Sequence, residues 1–160
     1  MKLSKKLKDY LNKNNINYTN YYHNPIFETK ELVKNLDLPE KDFTKTNIFQ
    51  TEDGFVMTVI PIGQKVDLGL FKNASSKTKV KLANLDQINT IFPDCEQGTI
   101  PPLGNLFDLP VYVSPALNKC HEIIFHAGTH TETIKMKYED FQKLVNPKIN
   151  KISKPAQKSS

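Results

Sequence analysis

Two β-rich runs, FTKTNIFQ and FVMTVIPI, flank the tetrapeptide TEDG, and this arrangement constrains the fold more than any other part of the chain. An Asp-Gly pair between such runs favours the tight turn of a β-hairpin, because glycine adopts a positive φ angle without strain. The sequence therefore predicts an antiparallel hairpin that turns at Asp53-Gly54. Any fold for the chain must contain a sheet that includes this hairpin.

Helical and strand patterns alternate on both sides of the hairpin. Apolar residues at helical spacing predict a helix over residues 4–14 with Ser4 as its N-cap, a helix in TKELVKNLDLP with Thr29 as its cap, and helices in VDLGLFKNA, NLDQINTIF and YEDFQKLV. Short β-rich runs predict strands in KTKVKLA, LPVYVS, HEIIFHAG and HTETIKMK, the last two joined at Ala127-Gly128. This interleaving predicts an α+β (mixed α/β) fold with a mixed sheet.

The length of the chain, 160 residues, is typical of one domain with its own core. We expect a single domain over residues 1–147, followed by a basic, disordered tail over residues 148–160 (KINKISKPAQKSS). No apolar run approaches the roughly 18 residues that a membrane span needs, and residues 1–15 lack a signal-peptide core. The expected location is the cytoplasm, where Cys95 and Cys120 would stay reduced.

The charge of the chain is concentrated at its two ends. The net charge is +5 with every basic residue a lysine, and residues 1–15 and 147–160 each carry a net +4 around a body that is net negative. Basic ends suit a polyanion such as RNA, although a solvated helix face and a tail would have the same composition. Lysine binds phosphate as a point charge, so any RNA contact should read the backbone more than the bases.

Three of the four histidines fall within HEIIFHAGTH, which raises the question of a metal site. The zinc-protease pattern needs HExxH on a helix, but His121 and His126 are one residue too far apart and lie in a β-rich run. On a strand they would point to opposite faces, while His126 and His130 could converge across the glycine turn without an evident third ligand. The sequence therefore does not favour a metal site. It also lacks GxGxxG, GxxxxGK[ST] and GxSxG, which disfavours nucleotide-dependent enzymes and serine hydrolases.

Three other segments carry a more specific signal: FTKT at 43–46, GTIPPLG at 98–104 and AGTHTE at 127–132. In this order and spacing, and together with HNPIFETKEL near the N-terminus, they resemble the YbaK family of aminoacyl-tRNA deacylases. That family is related to the editing domain of bacterial prolyl-tRNA synthetase. The resemblance covers about residues 15–146.

The resemblance implies a compact, partly barrel-like mixed sheet flanked by helices. It also implies hydrolysis of the ester between an amino acid and the terminal ribose of tRNA, with a water nucleophile and without metal or other cofactor. The implied catalytic residues are Lys45, Gly98 and His130. The implied substrate-binding residues are Phe27, Thr46, Thr99, Ile100, Pro101, Pro102, Gly128 and Thr129.

These residue types suit that chemistry. Backbone N–H groups near Gly98 can hold the developing oxyanion, and Pro101 and Pro102 stiffen the loop that presents them. Lys45 can bind the terminal phosphate or polarise the ester, and His130 can orient the water or a ribose hydroxyl. A histidine at position 126, where the family often has asparagine, leaves the edited amino acid open.

The leading hypothesis is a trans-editing hydrolase that acts on the acceptor end of mischarged tRNA. The tRNA would be tRNA-Pro carrying alanine or cysteine, or a tRNA carrying serine or threonine. The alternative is a non-catalytic module that uses its lysine-rich ends to bind tRNA or an aminoacyl-tRNA synthetase. A third reading is a sensor of aminoacyl nucleotides or other small molecules. No membrane partner is expected.

Overall fold

A computed structural model of the protein describes residues 3–156. Within them the chain forms six α-helices: α1 (Leu3–Lys13), α2 (Thr29–Leu36), α3 (Leu68–Ser75), α4 (Leu85–Ile91), α5 (Pro115–Asn118) and α6 (Tyr138–Val145). The strands are β1 (Tyr18–Tyr22), β2 (Thr44–Thr51), β3 (Gly54–Pro61), β4 (Gln64–Val66), β5 (Val80–Leu82), β6 (Val111–Val113), β7 (Glu122–His126), β8 (Glu132–Lys137), β9 (Lys148–Ile149) and β10 (Ser153–Pro155). None of the helices in this range is long and apolar enough to cross a membrane.

The largest sheet has five strands in the order β5-β2-β3-β6-β9 and is built on the predicted hairpin. β2 and β3 pair antiparallel, and Thr51 stands opposite Gly54 at the turn, where Gly54 has a φ of +111°. β6 joins β3 in parallel, and β9 joins β6 in parallel. The hairpin and the mixed sheet are therefore confirmed.

A second, antiparallel sheet has the order β1-β8-β7, and β10 pairs with β4 in a separate ribbon. The two larger sheets meet where Phe43, just before β2, forms a parallel bridge with Ile124 of β7. The hydroxyl of Thr44 donates to the Ile124 carbonyl at 3.2 Å across the same junction. Residues of both sheets share the main apolar core, and the architecture confirms the α+β class with a mixed sheet.

Strand alternation divides the hairpin between two apolar cores. Ile48 and Met57 enter the main core with Phe125 of β7, and helices α1 and α6 close that core. Phe49 points to the other face of the hairpin, where it packs beside Phe71 of α3. A third cluster joins α2 to the sheet junction through Leu32, Phe43 and Ile124.

Two predicted helix caps are wrong. Ser4 lies inside α1, which begins at Leu3, so it is not the N-cap, and its hydroxyl donates to the Glu132 carboxylate at 2.6 Å. Thr29 is the first residue of α2, whose N-cap is Glu28 without a side-chain cap hydrogen bond. Asn84 does cap α4, because its side chain accepts from the Gln87 N–H in a capping box.

The expected disordered tail is wrong over residues 148–156. β9 extends the main sheet, β10 pairs with β4, and Ile152 between them is fully buried beside Phe71. Lysines dominate the composition of this segment, so composition did not indicate that one apolar side chain, Ile152, would be buried by tertiary packing. Residues 157–160 of that prediction lie outside the described residues.

Candidate functional site

The two predicted glycine segments lie side by side. The Gly128 N–H donates to the Thr99 carbonyl at 3.0 Å, and the Glu96 N–H donates to the Gly128 carbonyl at 3.0 Å. Gly98 and Gly128 both have positive φ angles, +81° and +90°, which only glycine adopts readily. The structure therefore brings the Gly98 loop and the turn that precedes His130 together.

Glu96 is a site residue that the sequence reasoning missed. Its carboxylate accepts a hydrogen bond from the His130 N–H at 3.0 Å, so it fixes the backbone of the predicted catalytic histidine. The only sequence signal was an acidic residue two positions before Gly98. Such a signal cannot identify a partner 34 positions away along the chain.

The imidazole of His130 packs against an exposed aromatic ring. The ring centroids of Phe27 and His130 are 4.5 Å apart, and 74% of Phe27 is exposed. The Ile26 N–H donates to the His130 carbonyl, and the His23 N–H donates to the Thr131 carbonyl, so the HNPIF segment runs along the turn. Phe27 therefore forms part of the rim around His130.

His126 lies beside His130, with 6.1 Å between their ring centroids. Burial, followed by the nearby His130 and His23, lowers the pKa of His126 to about 4, so His126 is neutral at pH 7. Among residues 3–156, the buried Nδ1 atoms of His126 and His130 have no hydrogen-bond partner. Buried polar atoms without partners are costly unless a water or a ligand satisfies them, which marks this pair as a place for either.

His23 has a different role. Its Nδ1 lies 2.9 Å from the Asn24 carbonyl, which can only accept, so Nδ1 carries the hydrogen. Its Nε2 lies 2.9 Å from the hydroxyl of Thr133 and, in the neutral ring, accepts from it. Nε2 thus holds the HNPIF segment on β8, while Nδ1 bonds within that segment.

Lys45, on β2, lies on the same side of the sheet as His126. Phe43 and Ile124 form the bridge between neighbouring segments, and Lys45 and His126 each lie two residues beyond it. Because side chains alternate along a strand, Lys45 and His126 lie on the face of Phe43 and Ile124. In the described part of the chain, no hydrogen bond or ion pair links Lys45 to the Gly98 loop or to His130, so Lys45 borders their site without joining it.

Burial, then the charge of Lys65, lowers the pKa of Lys45. Lys45 lines a cleft of about 390 Å³ together with Lys65 and apolar side chains. Thr46, its neighbour, points to the main-core side of β2 and is half-buried. Thr46 and Lys45 are therefore on opposite faces of the strand.

The other predicted substrate-binding residues mainly shape the two segments. Thr99 is fully buried and its hydroxyl donates to the Glu96 carbonyl at 2.7 Å. Ile100 packs against the main core, and Pro101 and Pro102 are buried. The hydroxyl of Thr129 accepts from the Thr131 N–H at 3.3 Å.

Gly98, unlike the buried residues that follow it in the loop, is exposed. Within residues 3–156 its N–H has no hydrogen-bond acceptor, and a Cβ atom added to it would meet no other atom within 4 Å. It is therefore an open backbone donor next to the His130 turn.

Neither the cysteines nor the remaining histidine add a reactive centre. Cys95 and Cys120 are free thiols, and burial raises the pKa of both, which disfavours the reactive thiolate. His121 is exposed and lies just before β7. In the described range, no group of three or more His, Cys, Asp or Glu side chains is arranged to hold a metal ion.

The chain is similar in sequence to one family model and in fold to several solved structures. A family model described as "Aminoacyl-tRNA editing domain" matches residues 23–144, whereas no curated protein matches the sequence. A crystal structure described as a candidate trans-editing enzyme for prolyl tRNA synthetase superposes with a TM-score of 0.82 at 15% identity, covering 95% of this chain and 97% of that one. A second crystal structure, of a hypothetical protein, gives a TM-score of 0.84 at 16% identity, covering 93% and 99%. The family match spans most of the chain, including the Gly98 loop and the His130 turn, and the protein therefore belongs to the aminoacyl-tRNA editing domain family.

Proposed function

We propose that the protein removes wrongly attached amino acids from tRNA in trans, at a site formed by the Gly98 loop and the His130 turn. Family membership makes the protein an aminoacyl-tRNA deacylase, which hydrolyses the ester between an amino acid and tRNA. The observation that carries the location of the site is the pair of hydrogen bonds by which Gly128 holds Thr99 and Glu96. They join the loop of the exposed Gly98 to the turn before His130, whose main-chain N–H donates to the Glu96 carboxylate.

The Gly98 N–H suits the role of oxyanion donor. Water attacks the ester carbonyl carbon, the carbonyl oxygen becomes an oxyanion, and the bond from carbon to the ribose oxygen then breaks. The ribose oxygen takes a proton, and the products are the free amino acid and the tRNA 3′ end. One rigid donor aimed at the oxyanion typically contributes about 2.7–4 kcal/mol to the lowering of the barrier.

The imidazole of His130 suits the positioning of water or of the ribose hydroxyl next to the ester. Its backbone is held by Glu96 and its ring by Phe27, so it offers a hydrogen-bonding group in a fixed place. His126 adds a second, neutral imidazole whose Nδ1 has no partner among residues 3–156. A neutral group there can contact the aminoacyl part without adding charge.

Lys45 is suited to bind a phosphate of the tRNA substrate. It lies at the level of His126 on the neighbouring segment and forms no ion pair within the described residues. An unpaired ammonium at this position can bind the last phosphate of a tRNA acceptor end. The partners proposed are therefore mischarged tRNA and, as the source of that tRNA, an aminoacyl-tRNA synthetase.

The non-catalytic alternative draws less support from the structure. Within the lysine-rich N-terminal helix, Lys5 pairs with Asp9 at 2.9 Å, and Lys8 pairs with Glu132. Lys148, at the start of the C-terminal segment, lies over the ring of Tyr112. Part of the charge at the two ends thus has partners within the fold.

The experiment is a panel of tRNAs, each charged with a wrong amino acid, incubated with the protein and assayed for remaining ester. We expect hydrolysis well above buffer for at least one small amino acid, with alanine, cysteine, serine and threonine as the first tests. Correctly charged versions of the same tRNAs are the matched controls. If the protein hydrolysed none of the mischarged tRNAs in the panel, the proposed function would be refuted.

A further inference from the structure

A cleft beside the site shares Lys45 with it and extends over residues that the chemistry described above does not use. It is lined by Lys45, Lys65 and Asn47 and by the apolar residues Phe49, Val66, Leu68, Leu82 and Ala156; we call it the lysine cleft. Its volume is about 390 Å³. Leu68 is 45% exposed and Leu82 is 58% exposed, so the cleft presents accessible apolar surface next to its two lysines.

The charge of the lysine cleft is uncompensated. Neither Lys45 nor Lys65 forms an ion pair with any acidic group between residues 3 and 156. The proximity of Lys65 contributes to the lowered pKa of Lys45, so the two positive charges act on each other. Two unpaired cations that repel one another gain free energy when an anion comes between them.

The C-terminal segment extends this cationic surface. β10 pairs with β4 so that Lys154 stands directly opposite Lys65, which puts both side chains on one face. Ala156 lines the lysine cleft and a second cavity of about 410 Å³, which Lys65 and Lys154 also line. Lys154 is partly neutralised by Asp67 at 3.4 Å, so Lys45 and Lys65 remain the open anion positions.

We propose that the lysine cleft binds the single-stranded nucleotides at the 3′ end of the tRNA acceptor, with phosphates on Lys45 and Lys65 and a base against Leu68 and Leu82. Proteins hold single-stranded nucleic acid with a cationic groove along the phosphates and with side chains that pack against the faces of the bases. Here Leu68 and Leu82 would supply the apolar contact to a base. This inference rests on the proposed function, because it assigns a surface to the substrate of the same site.

The position of the cleft fits that occupant. Lys45 belongs both to the cleft and to the face that carries His126, two residues beyond the Phe43–Ile124 bridge. A chain whose last ribose carries the ester near His130 would pass Lys45 on its way out of the site. The preceding nucleotides would then enter the lysine cleft.

The test uses a short labelled single-stranded RNA that ends in CCA, with the full chain and variants at low ionic strength. Lys65→Ala should raise the Kd roughly three- to ten-fold and lower the slope of log K against log salt by about 0.7, the value for one phosphate contact on a single strand. Leu82→Glu, which adds a carboxylate to the cleft, should raise the Kd by at least about ten-fold. Both side chains are exposed, so we expect circular dichroism spectra like that of the unaltered protein.

Two control variants match these changes. Lys81→Ala removes the same charge one residue before Leu82. Because side chains alternate along β5, the side chain of Lys81 lies on the face opposite to that of Leu82. Leu85→Glu adds the same carboxylate at an exposed leucine outside the cleft, at the start of α4. Both should bind the RNA within about two-fold of the unaltered protein, which is the range expected of surface substitutions.

The outcomes separate this inference from the proposed function. If Lys65→Ala and Leu82→Glu bind the RNA as well as their controls, the cleft is not the acceptor-end surface, whatever the deacylation assay shows. If the two variants lose binding while the unaltered protein hydrolyses no mischarged tRNA, the lysine cleft is supported as an RNA-binding surface and the deacylase proposal fails. If both stand, the variants should raise the KM for mischarged tRNA by the same factor as the Kd.

Discussion

The His130 N–H donates to the Glu96 carboxylate at 3.0 Å, and this bond ties the predicted catalytic turn to the loop that carries Gly98. Glu96→Ala should loosen the turn and lower kcat for deacylation about ten-fold, which corresponds to roughly 1.4 kcal/mol, the free energy of one ordinary hydrogen bond. Glu96→Gln keeps an acceptor oxygen and should restore most of the rate. Glu96 is exposed, so thermal unfolding should change little. Equal rates for the Ala and Gln variants would show that the bond does not position His130.

Gly98→Ala should lower kcat in addition to lowering stability, whereas backbone strain alone should lower stability only. The φ of +81° disfavours a side chain by about 1–2 kcal/mol, although the added Cβ would meet no atom within 4 Å. If the Gly98 N–H holds the oxyanion, a shift of this backbone should lower kcat by about 10²–10³-fold. Gly54→Ala is the matched control, because Gly54 also has a positive φ and open space but lies at the hairpin turn. Loss of stability in both variants, with loss of kcat only in Gly98→Ala, is the expected result.

The parts of the fold that sequence predicted are those fixed by local chemistry. The turn at Asp53-Gly54 needs only neighbouring residues, and the alternation of β-rich runs with helical patterns is also local. The C-terminal segment was mistaken for a tail because lysines dominate its composition. Its strands depend on partners far along the chain and on the burial of one side chain, Ile152.

The candidate site shows the same division. Gly98 and His130 stand in recognisable segments, and the structure brings those segments together. Glu96 contributes through a contact 34 positions away, for which the sequence carries no local signal. The sequence carries no signal that Lys45 and His126 share a side of the sheet, which follows only from the bridge between Phe43 and Ile124.

Lys45→Ala should lower kcat/KM for mischarged tRNA by about 10²-fold or more, because it removes a charge that would contact the substrate phosphate near the ester. The side chain makes no ion pair among the described residues and is exposed, so the free energy of unfolding should stay within about 0.5 kcal/mol of the unaltered value. Lys45→Arg preserves the charge and is the control for electrostatics alone. Normal turnover by Lys45→Ala would remove this lysine from the mechanism.

His126 should make the stability of the protein depend on pH. Its pKa is lowered from 6.5 to about 4, so between these values the unfolded chain binds more protons than the folded one. The stabilisation is therefore present above pH 6.5 and is lost as pH falls toward 4, by on the order of 2–3 kcal/mol. Urea unfolding across this window should show a steeper decline for the unaltered protein than for His126→Asn. Parallel curves would mean that His126 titrates normally in the folded state.

The C-terminal segment should be required for stability. Ile152 is fully buried beside Phe71 and Tyr112, so Ile152→Ala removes packed methyl groups from the second core and should cost about 2–4 kcal/mol of unfolding free energy. Ile149→Ala, three residues earlier at a position 36% exposed, is the control and should cost less than about 1 kcal/mol. Removal of every residue after 147 should be at least as destabilising as Ile152→Ala, since it also removes β9 and the partner of β4. A truncated protein with an unchanged urea midpoint would show that residues 148–156 do not contribute to the folded domain.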